Sequence, residues 1–376
     1  MRYDGIRKIS KKVPLPVKRF LRKYISFTEY DLQGRELSNP YAEEPSSCDY
    51  PGSRYTIGVI KEFAHYHMAN IAACRELGVS YRVLDISGTN WVELVKNAGC
   101  DAFLAWPSSY LSIWKEMYDD RLKFMEDELG MVIYPSYREL WLYENKRRVR
   151  DWLEINQIPH PRTWIFYNEV EAIEFLKKAE FPIVFKTNVG SSASGVWILR
   201  DFSKSITLVR KAFRQGIVAK GRDPRDRQWG VVYFQEYFPD VKEYRMIRIH
   251  DAYFGYKKER IGDFHSGSHA FSFFDPPHAL LDFTEDVTEK GKFTSMNIDI
   301  FETLDGRLFV NELQAVFGAS NPRVMLMVNG KTGRYIRNNQ SGTWAFEEGD
   351  FSRNACANIR VQYLVNHLLP KLKDIR

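Results

Sequence analysis

Asp299 and Glu312 are the two carboxylates whose spacing carries the most chemistry in this 376-residue chain. Segments 295–303 and 307–314 alternate as strands do, and Asp305-Gly306 between them is a two-residue hairpin signal. Pairing across such a turn sets Asp299 directly opposite Glu312 on one face, with Cβ atoms about 5 Å apart. Two carboxylates that close repel unless a cation or a proton lies between them. Gln314 shares the face and offers a neutral carbonyl oxygen, so three oxygen donors on neighbouring strands suit Mg²⁺ held jointly with phosphates. A solvent-facing strand pair with water-screened acids would carry the same residues.

A second set of residues suits phosphate itself. The apolar strand 181–186 ends in Lys186 and leads into Thr187-Asn188-Val189-Gly190-Ser191-Ser192-Ala193-Ser194-Gly195, after which 196–200 reads as another strand. Backbone N–H groups of a flexible Gly/Ser loop can wrap phosphate oxygens, and Lys186 would add a point charge. An ordinary hairpin turn has the same composition. Downstream, 230–238 reads as a strand ending in Gln235-Glu236-Tyr237-Phe238. Glu243-Tyr244-Arg245 opens a further strand, and Lys257, Lys258 and Arg260 end the next.

These residues need elements to hold them. From residue 55 the chain alternates strand and helix: strands at 55–60, 81–86, 102–106 and 131–134, and a helix at 67–77 closed by Gly78. That is the pattern of a small parallel α/β unit. No G-x-G-x-x-G follows its first strand, so a dinucleotide site is not supported. A helix is expected over 143–155, another over 169–179, then mainly strands to 314, and a closing helix over 354–371. His65 and His67 at a strand-to-helix junction serve either substrate contact or polar packing. Gly330-Lys331-Thr332 resembles the end of a Walker A loop, but Met325 occupies the required glycine position. H-E-x-x-H and G-x-S-x-G are absent, which leaves zincin and serine-hydrolase chemistry without an anchor.

Composition excludes whole classes. Hydrophobic residues at 44% and charged residues at 27% are those of an ordinary globular protein. No apolar run reaches the roughly 18 residues of a membrane span, and the N-terminus does not read as a signal peptide. Four scattered cysteines without a C-x-x-C pair fit a reducing, cytoplasmic setting. The net charge of +6 conceals a basic leader: residues 1–24 hold nine Lys or Arg against Asp4, or +8, leaving −2 for everything after them. A nearly neutral body argues against nucleic acid as a partner. In the leader, Val17, Phe20, Leu21, Tyr24 and Ile25 recur at helical spacing. Residues 1–25 therefore fit either peripheral contact with an anionic membrane face or a helix packed on the body.

The order of these pieces resembles the ATP-grasp superfamily, which includes D-alanine–D-alanine ligase, glutathione synthetase and the ribosomal-protein glutamate-adding ligase. The resemblance covers roughly residues 51 to 320. It implies an α/β and α+β architecture, with a pre-ATP-grasp parallel α/β domain followed by a two-lobed ATP-grasp domain. On that basis residues 1–50 are a basic extension, 51–140 the pre-ATP-grasp domain, and 141–376 the ATP-grasp domain. Its small lobe spans about 141–235 and its large lobe about 236–376. By position, Lys146 and Lys186 resemble the two lysines that contact ATP phosphates, and Gly190, Ser191, Ser192 and Gly195 the mobile loop over them. Glu236 and Phe238 resemble the linker whose backbone reads adenine, and Glu243 the ribose-binding acid. Asp299, Glu312 and Gln314 match the metal ligands, for one or two Mg²⁺ ions or Mn²⁺ in their place. Arg245 and Arg260 match catalytic cations facing phosphate or substrate carboxylate. The family usually has Asn where this chain has Gln314.

The resemblance implies an ATP-dependent carboxylate–amine ligase that forms an amide through an acyl phosphate. Its partners would be a small-molecule or glycan carboxylate and an amine, for example a sugar acid of a surface polysaccharide and an amino acid. The cationic and histidine-bearing stretch around Arg260, His265 and His269 fits substrate contact or an exposed loop. An ATP-grasp kinase and a non-catalytic nucleotide-binding module are the alternatives.

Overall fold

The computed structural model describes residues 46–190, 194–220, 222–260, 262, 270–317, 326–338 and 340–373, with Pro14 and Val17. Expectations for Ser191, Ser192, His265, His269 and, apart from Pro14 and Val17, the basic leader lie outside the described residues.

Five short strands form the first sheet: β1 (Ser47–Cys48), β2 (Thr56–Ile60), β3 (Ser80–Leu84), β4 (Ala102–Leu104) and β5 (Ile133–Tyr134). Their order is β1-β3-β2-β4-β5, with β1 antiparallel at the edge and the rest parallel. Ile57, Val59 and Ile60 are all buried, as a strand covered on both faces requires. Helices α1 (Met68–Glu76), α2 (Trp91–Asn97) and α3 (Ser112–Asp127) provide the cover, followed by α4 (Tyr137–Leu142). A capping box opens α4: the Glu139 N–H donates to Ser136 Oγ, and the Glu139 carboxylate accepts from the Ser136 N–H. The same carboxylate accepts from the backbone N–H groups of Thr294 and Ser295 at 2.7 and 2.6 Å. One cap thereby ties the first unit to the large sheet.

The helix expected from residue 143 starts instead at Lys146. Glu144 takes a left-handed φ of 55° that ends α4's trajectory, and the Asn145 side chain accepts from the Arg148 N–H to cap α5 (Lys146–Ile155). A small antiparallel sheet follows: β6 (Thr163–Phe166), α6 (Glu169–Lys178), β7 (Ile183–Lys186), β8 (Val196–Leu199), α7 (Phe202–Arg214) and β9 (Val232–Glu236), ordered β6-β9-β7-β8. It has its own core, built on Phe166, Phe185, Leu199, Val209 and Phe234.

The large sheet holds β10 (Val241–Ile249), β11 (Ala252–Lys258), β12 (Phe271–Ser272), β13 (Ser295–Thr303), β14 (Leu308–Gln314), β15 (Leu326–Val328), β16 (Lys331–Arg337) and β17 (Trp344–Glu348). Its main path runs β14-β13-β10-β11-β16-β15, backed by α8 (His278–Gly291). Its core is continuous with that of the parallel sheet. The expectation of mainly strands up to 314 named neither α7 nor α8, although Asp201 caps α7 by accepting from the Lys204 N–H at 2.8 Å. The tail runs from α9 (Ala357–Tyr363) on to Lys373 and packs inward: Arg360 is buried, donates to Ser295 Oγ at 3.0 Å and covers the Phe317 ring. Gly330-Lys331 belongs to the β15–β16 hairpin, with Asn329 and Gly330 both at positive φ, and takes no part in a phosphate loop. No described helix is long and apolar enough to cross a membrane.

Candidate functional site

Asp299 does face Glu312, by a different route from the one expected. The β13–β14 connection is a three-residue loop, Leu304-Asp305-Gly306, in which the Gly306 N–H donates to Thr303 O and Thr303 N–H to Arg307 O. Near the loop, Ile300 pairs with Val310 and Phe301 with Phe309, one residue out of the two-residue register. A bulge at Asn311 takes up the extra residue, so Asp299 pairs with Glu312 and Asn297 with Gln314. The bulged Asn311 is itself used: its Oδ1 accepts from Lys186 Nζ at 2.9 Å.

The cation that two close acids demand comes from side chains. Arg245, opposite Asp299 on β10, donates to both its oxygens at 2.8 and 2.9 Å, and Lys258 Nζ donates to Oδ2 at 2.5 Å. Lys258 also bonds Glu243 at 2.6 Å. Asp299 is fully buried. Burial alone would raise its pKa, but Arg245 and Lys258 outweigh it and hold the carboxyl well below the usual range. The same acids outweigh burial at Arg245 and Lys258, whose pKa values rise.

Apolar β7 delivers Lys186 to the cleft's edge from the small-sheet core. Burial, helped by Lys146 and opposed by Glu312, pulls this lysine down to about 8. The loop then folds back on its stem, with the Thr187 N–H donating to Gly195 O at 2.8 Å. A Cβ at Gly195 would lie 1.8 Å from Thr187 Oγ1, and Gly190 has φ +149°, so both glycines are required. Lys146, first residue of α5, donates from Nζ to Gly190 O at 3.0 Å and lies 3.4 Å from Glu312 Oε1. A single lysine thereby touches the loop and the acid of the large sheet.

The ring of Phe238 packs against Phe309 and Phe301, with centroids 5.2 and 6.3 Å away, at the end of the cleft that also holds Glu243. Glu236 turns its carboxylate outward to Arg162, at 3.0 and 3.1 Å. Arg260 does not join the cluster: it donates to Pro239 O and Gly262 O beyond the cleft. Gln314 is buried on the Asp299 face beside Asn297, whose side-chain amide has no partner among the described residues. His67 accepts from the Glu62 N–H at 3.3 Å, which places it in the packing of a turn.

Sequence reasoning noted Lys258 at a strand end without giving it a role, and missed Asn311 and Glu144. For Lys258 a signal existed. The two-residue connection His250-Asp251 sets Glu243 opposite Lys258, by the same counting used for Asp299 and Glu312. Glu144 and the Asn311 bulge depend on local backbone geometry with no comparable pattern.

No protein-family model matches the sequence, and no curated protein matches it. Solved structures do resemble the fold. D-alanine–D-alanine ligase from Bacillus anthracis superposes with a TM-score of 0.53 at 15% identity, covering 85% of this chain and 99% of that one. An ADP complex of N5-carboxyaminoimidazole ribonucleotide synthetase gives 0.50 at 15% identity, covering 74% and 72%. The Staphylococcus aureus N5-carboxyaminoimidazole synthetase with ADP gives 0.50 at 12%, covering 76% and 74%. The chain has the ATP-grasp fold.

Proposed function

Starting from the ATP-grasp fold, we propose that the protein is an ATP-dependent carboxylate–amine ligase. The observation that carries this reading is the meeting at Lys146: its ammonium touches the Gly190 loop and lies 3.4 Å from Glu312, which pairs across strands with Asp299. Two of the similar structures contain ADP.

In this reading Lys146, Lys186 and the loop N–H groups bind the triphosphate, Phe238 and the linker backbone receive the adenine, and Glu243 the ribose. Asp299, Glu312 and Gln314 would hold Mg²⁺ or Mn²⁺. The donor chemistry fits: these are hard oxygen ligands, and Arg245 and Lys258 keep Asp299 anionic while bonding both its oxygens, so an ion there would use a remaining lone pair of one of them. Among the described residues no group of three or more acids, histidines or cysteines is arranged to hold an ion, so in this reading phosphate oxygens and water complete the ion's shell. The ion, when bound, neutralises charge on the transferring phosphoryl group. The substrate carboxylate attacks the γ-phosphorus while the bond to ADP breaks. The amine nitrogen then forms the C–N bond as the C–O bond to phosphate breaks, and its proton leaves with phosphate. Arg245, pinned to Asp299, fixes the acid's orientation. The loop, closed down, keeps water from the acyl phosphate. The carboxylate is proposed to be a sugar acid of a surface polysaccharide, supported by the basic leader, which suits an anionic inner membrane face.

Thermal unfolding with Mg²⁺ and a non-hydrolysable ATP analogue tests the nucleotide site. At a hundred-fold excess over Kd, binding adds about 2.7 kcal/mol of stability. Hydroxylamine trapping across a carboxylate library then tests the acyl phosphate. A nucleotide-stabilised protein that yields no hydroxamate with any acid would overturn the ligase reading.

A further inference from the structure

Glu144 is the buried acid that the chemistry above leaves unused. It is 5% exposed and holds a left-handed φ of 55°, a conformation a non-glycine residue adopts only at a cost. Its carboxylate interacts with the Gly190 N–H, and Oε2 has no hydrogen-bond partner among the described residues. Lys146, Asn311 and Glu312 line the same small cavity, and Arg222 is a further charge near it. The acid thus stands where the loop and the carboxylate pair meet.

The residues around it connect to the parallel sheet by hydrogen bonds. Tyr143, the preceding residue, accepts at its hydroxyl from Trp106 Nε1 at 3.3 Å, and Trp106 lies just past the carboxyl end of β4. Arg222 donates to Tyr110 O on the same post-β4 segment. The sheet order reverses between β2 and β4, and open α/β sheets take ligands in the crevice outside the strand ends at such a switch point. Tyr66, partly exposed and stacked on Trp106, belongs to the segment after β2.

We propose that Glu144 binds the ammonium group of the incoming amine substrate, which enters by the crevice at the ends of β2 and β4. This rests on the ligase reading. A buried carboxylate oxygen without a donor, close to a second acid, favours an incoming cation with N–H groups to give, and a primary ammonium brings three. A divalent ion answers the description less well, because no third acid is arranged there to complete a site.

The test uses the full chain and the acid that gives the strongest hydroxamate. Hydroxylamine, largely uncharged near pH 7, and methylamine, bound as methylammonium and nucleophilic once it has lost one proton to water, serve as competing substrates, and wild type is compared with Glu144→Gln and Glu144→Asp. The ratio of hydroxamate to methylamide is expected to rise at least tenfold in Glu144→Gln and to fall part of the way back in Glu144→Asp. Equal loss of both products, in variants that melt like wild type, would show that Glu144 only shapes the loop and would overturn the proposal. An unchanged ratio would overturn it as well, as would a shifted Mg²⁺ half-saturation, which would make Glu144 a metal ligand. Absence of hydroxamate from wild type is a separate failure, that of the ligase reading itself.

Discussion

Asp299 and Glu144 are both buried carboxylates beside one cleft, and their surroundings differ in kind. Asp299 sits within a sheet strand paired on both sides, with three charged hydrogen bonds from Arg245 and Lys258. Glu144 sits in an irregular connection, with one oxygen unpartnered among the described residues. Burial pushes both upward. At Asp299 the two cations reverse that push, whereas at Glu144 burial and Glu312 prevail over Lys146 and Arg222 and the pKa rises. An acid matched on every side belongs to the frame as much as to the site, while a half-matched acid depends on what arrives.

The sharpest break in that comparison is Asp299→Asn. Removing one member of a buried ion network typically costs about 3–5 kcal/mol, because the cations left behind have no partner. Asp299→Asn should therefore lose both ATP turnover and a large part of its stability, read by ADP release and denaturant unfolding. Glu312→Ala isolates the chemistry. The Glu312 side chain is 19% exposed and has one lysine at 3.4 Å. It should lose turnover with a melting temperature close to wild type. Equal melting of the two variants would show that the Asp299 network is not part of the frame. Turnover in folded Glu312→Ala would remove it from the metal site.

The loop offers the next effect in size. Gly195→Ala drives a methyl group into Thr187 Oγ1, and crowding of that kind costs about 1–3 kcal/mol. Expressed as loop misplacement, this should raise the KM for ATP about tenfold. Thr187→Ala in the same chain removes the closest clashing atom and should recover part of the loss. No recovery would place the clash elsewhere.

Lys186 sets a smaller effect with a definite sign. Burial lowers its pKa to about 8, so the free protein carries the charge below that pH and loses it above. Phosphate binding favours the charged form, so the KM for ATP should rise as pH climbs through about 8, with proton uptake on binding there. Lys186→Arg stays charged throughout and should flatten the profile. A wild-type KM that is level from pH 7 to 9 would contradict this.

How much of this was legible in the sequence follows from what each feature depends on. Parallel strands announced themselves through continuous apolar runs, and the acid pair through alternation and a turn signal. The pairing survived a wrong turn type only because the Asn311 bulge restored the register that the longer loop had shifted. Such compensation has no signature in residue spacing. Arg260 was placed by analogy alone, and its guanidinium turned back to Pro239. Helices α7 and α8 were hidden for a different reason: strands on either side drew the reading, although Asp201 marked one start. Glu144 was invisible because its interest lies in a positive φ and a missing donor, and both belong to the fold.

The smallest expected effect concerns the linker. Glu236 was assigned to adenine recognition through its backbone, and its carboxylate is engaged by Arg162, whose side chain is 70% exposed. Exposed pairs are worth little, so Arg162→Ala should move the melting temperature by no more than about 2 °C. If the backbone alone reads the base, freeing the carboxylate should also leave the KM for ATP within about threefold, and the preference for ATP over GTP intact. A larger change in either would mean that the ion pair holds the linker in register. The matched acids of this cleft would then extend beyond Asp299 to its solvent edge.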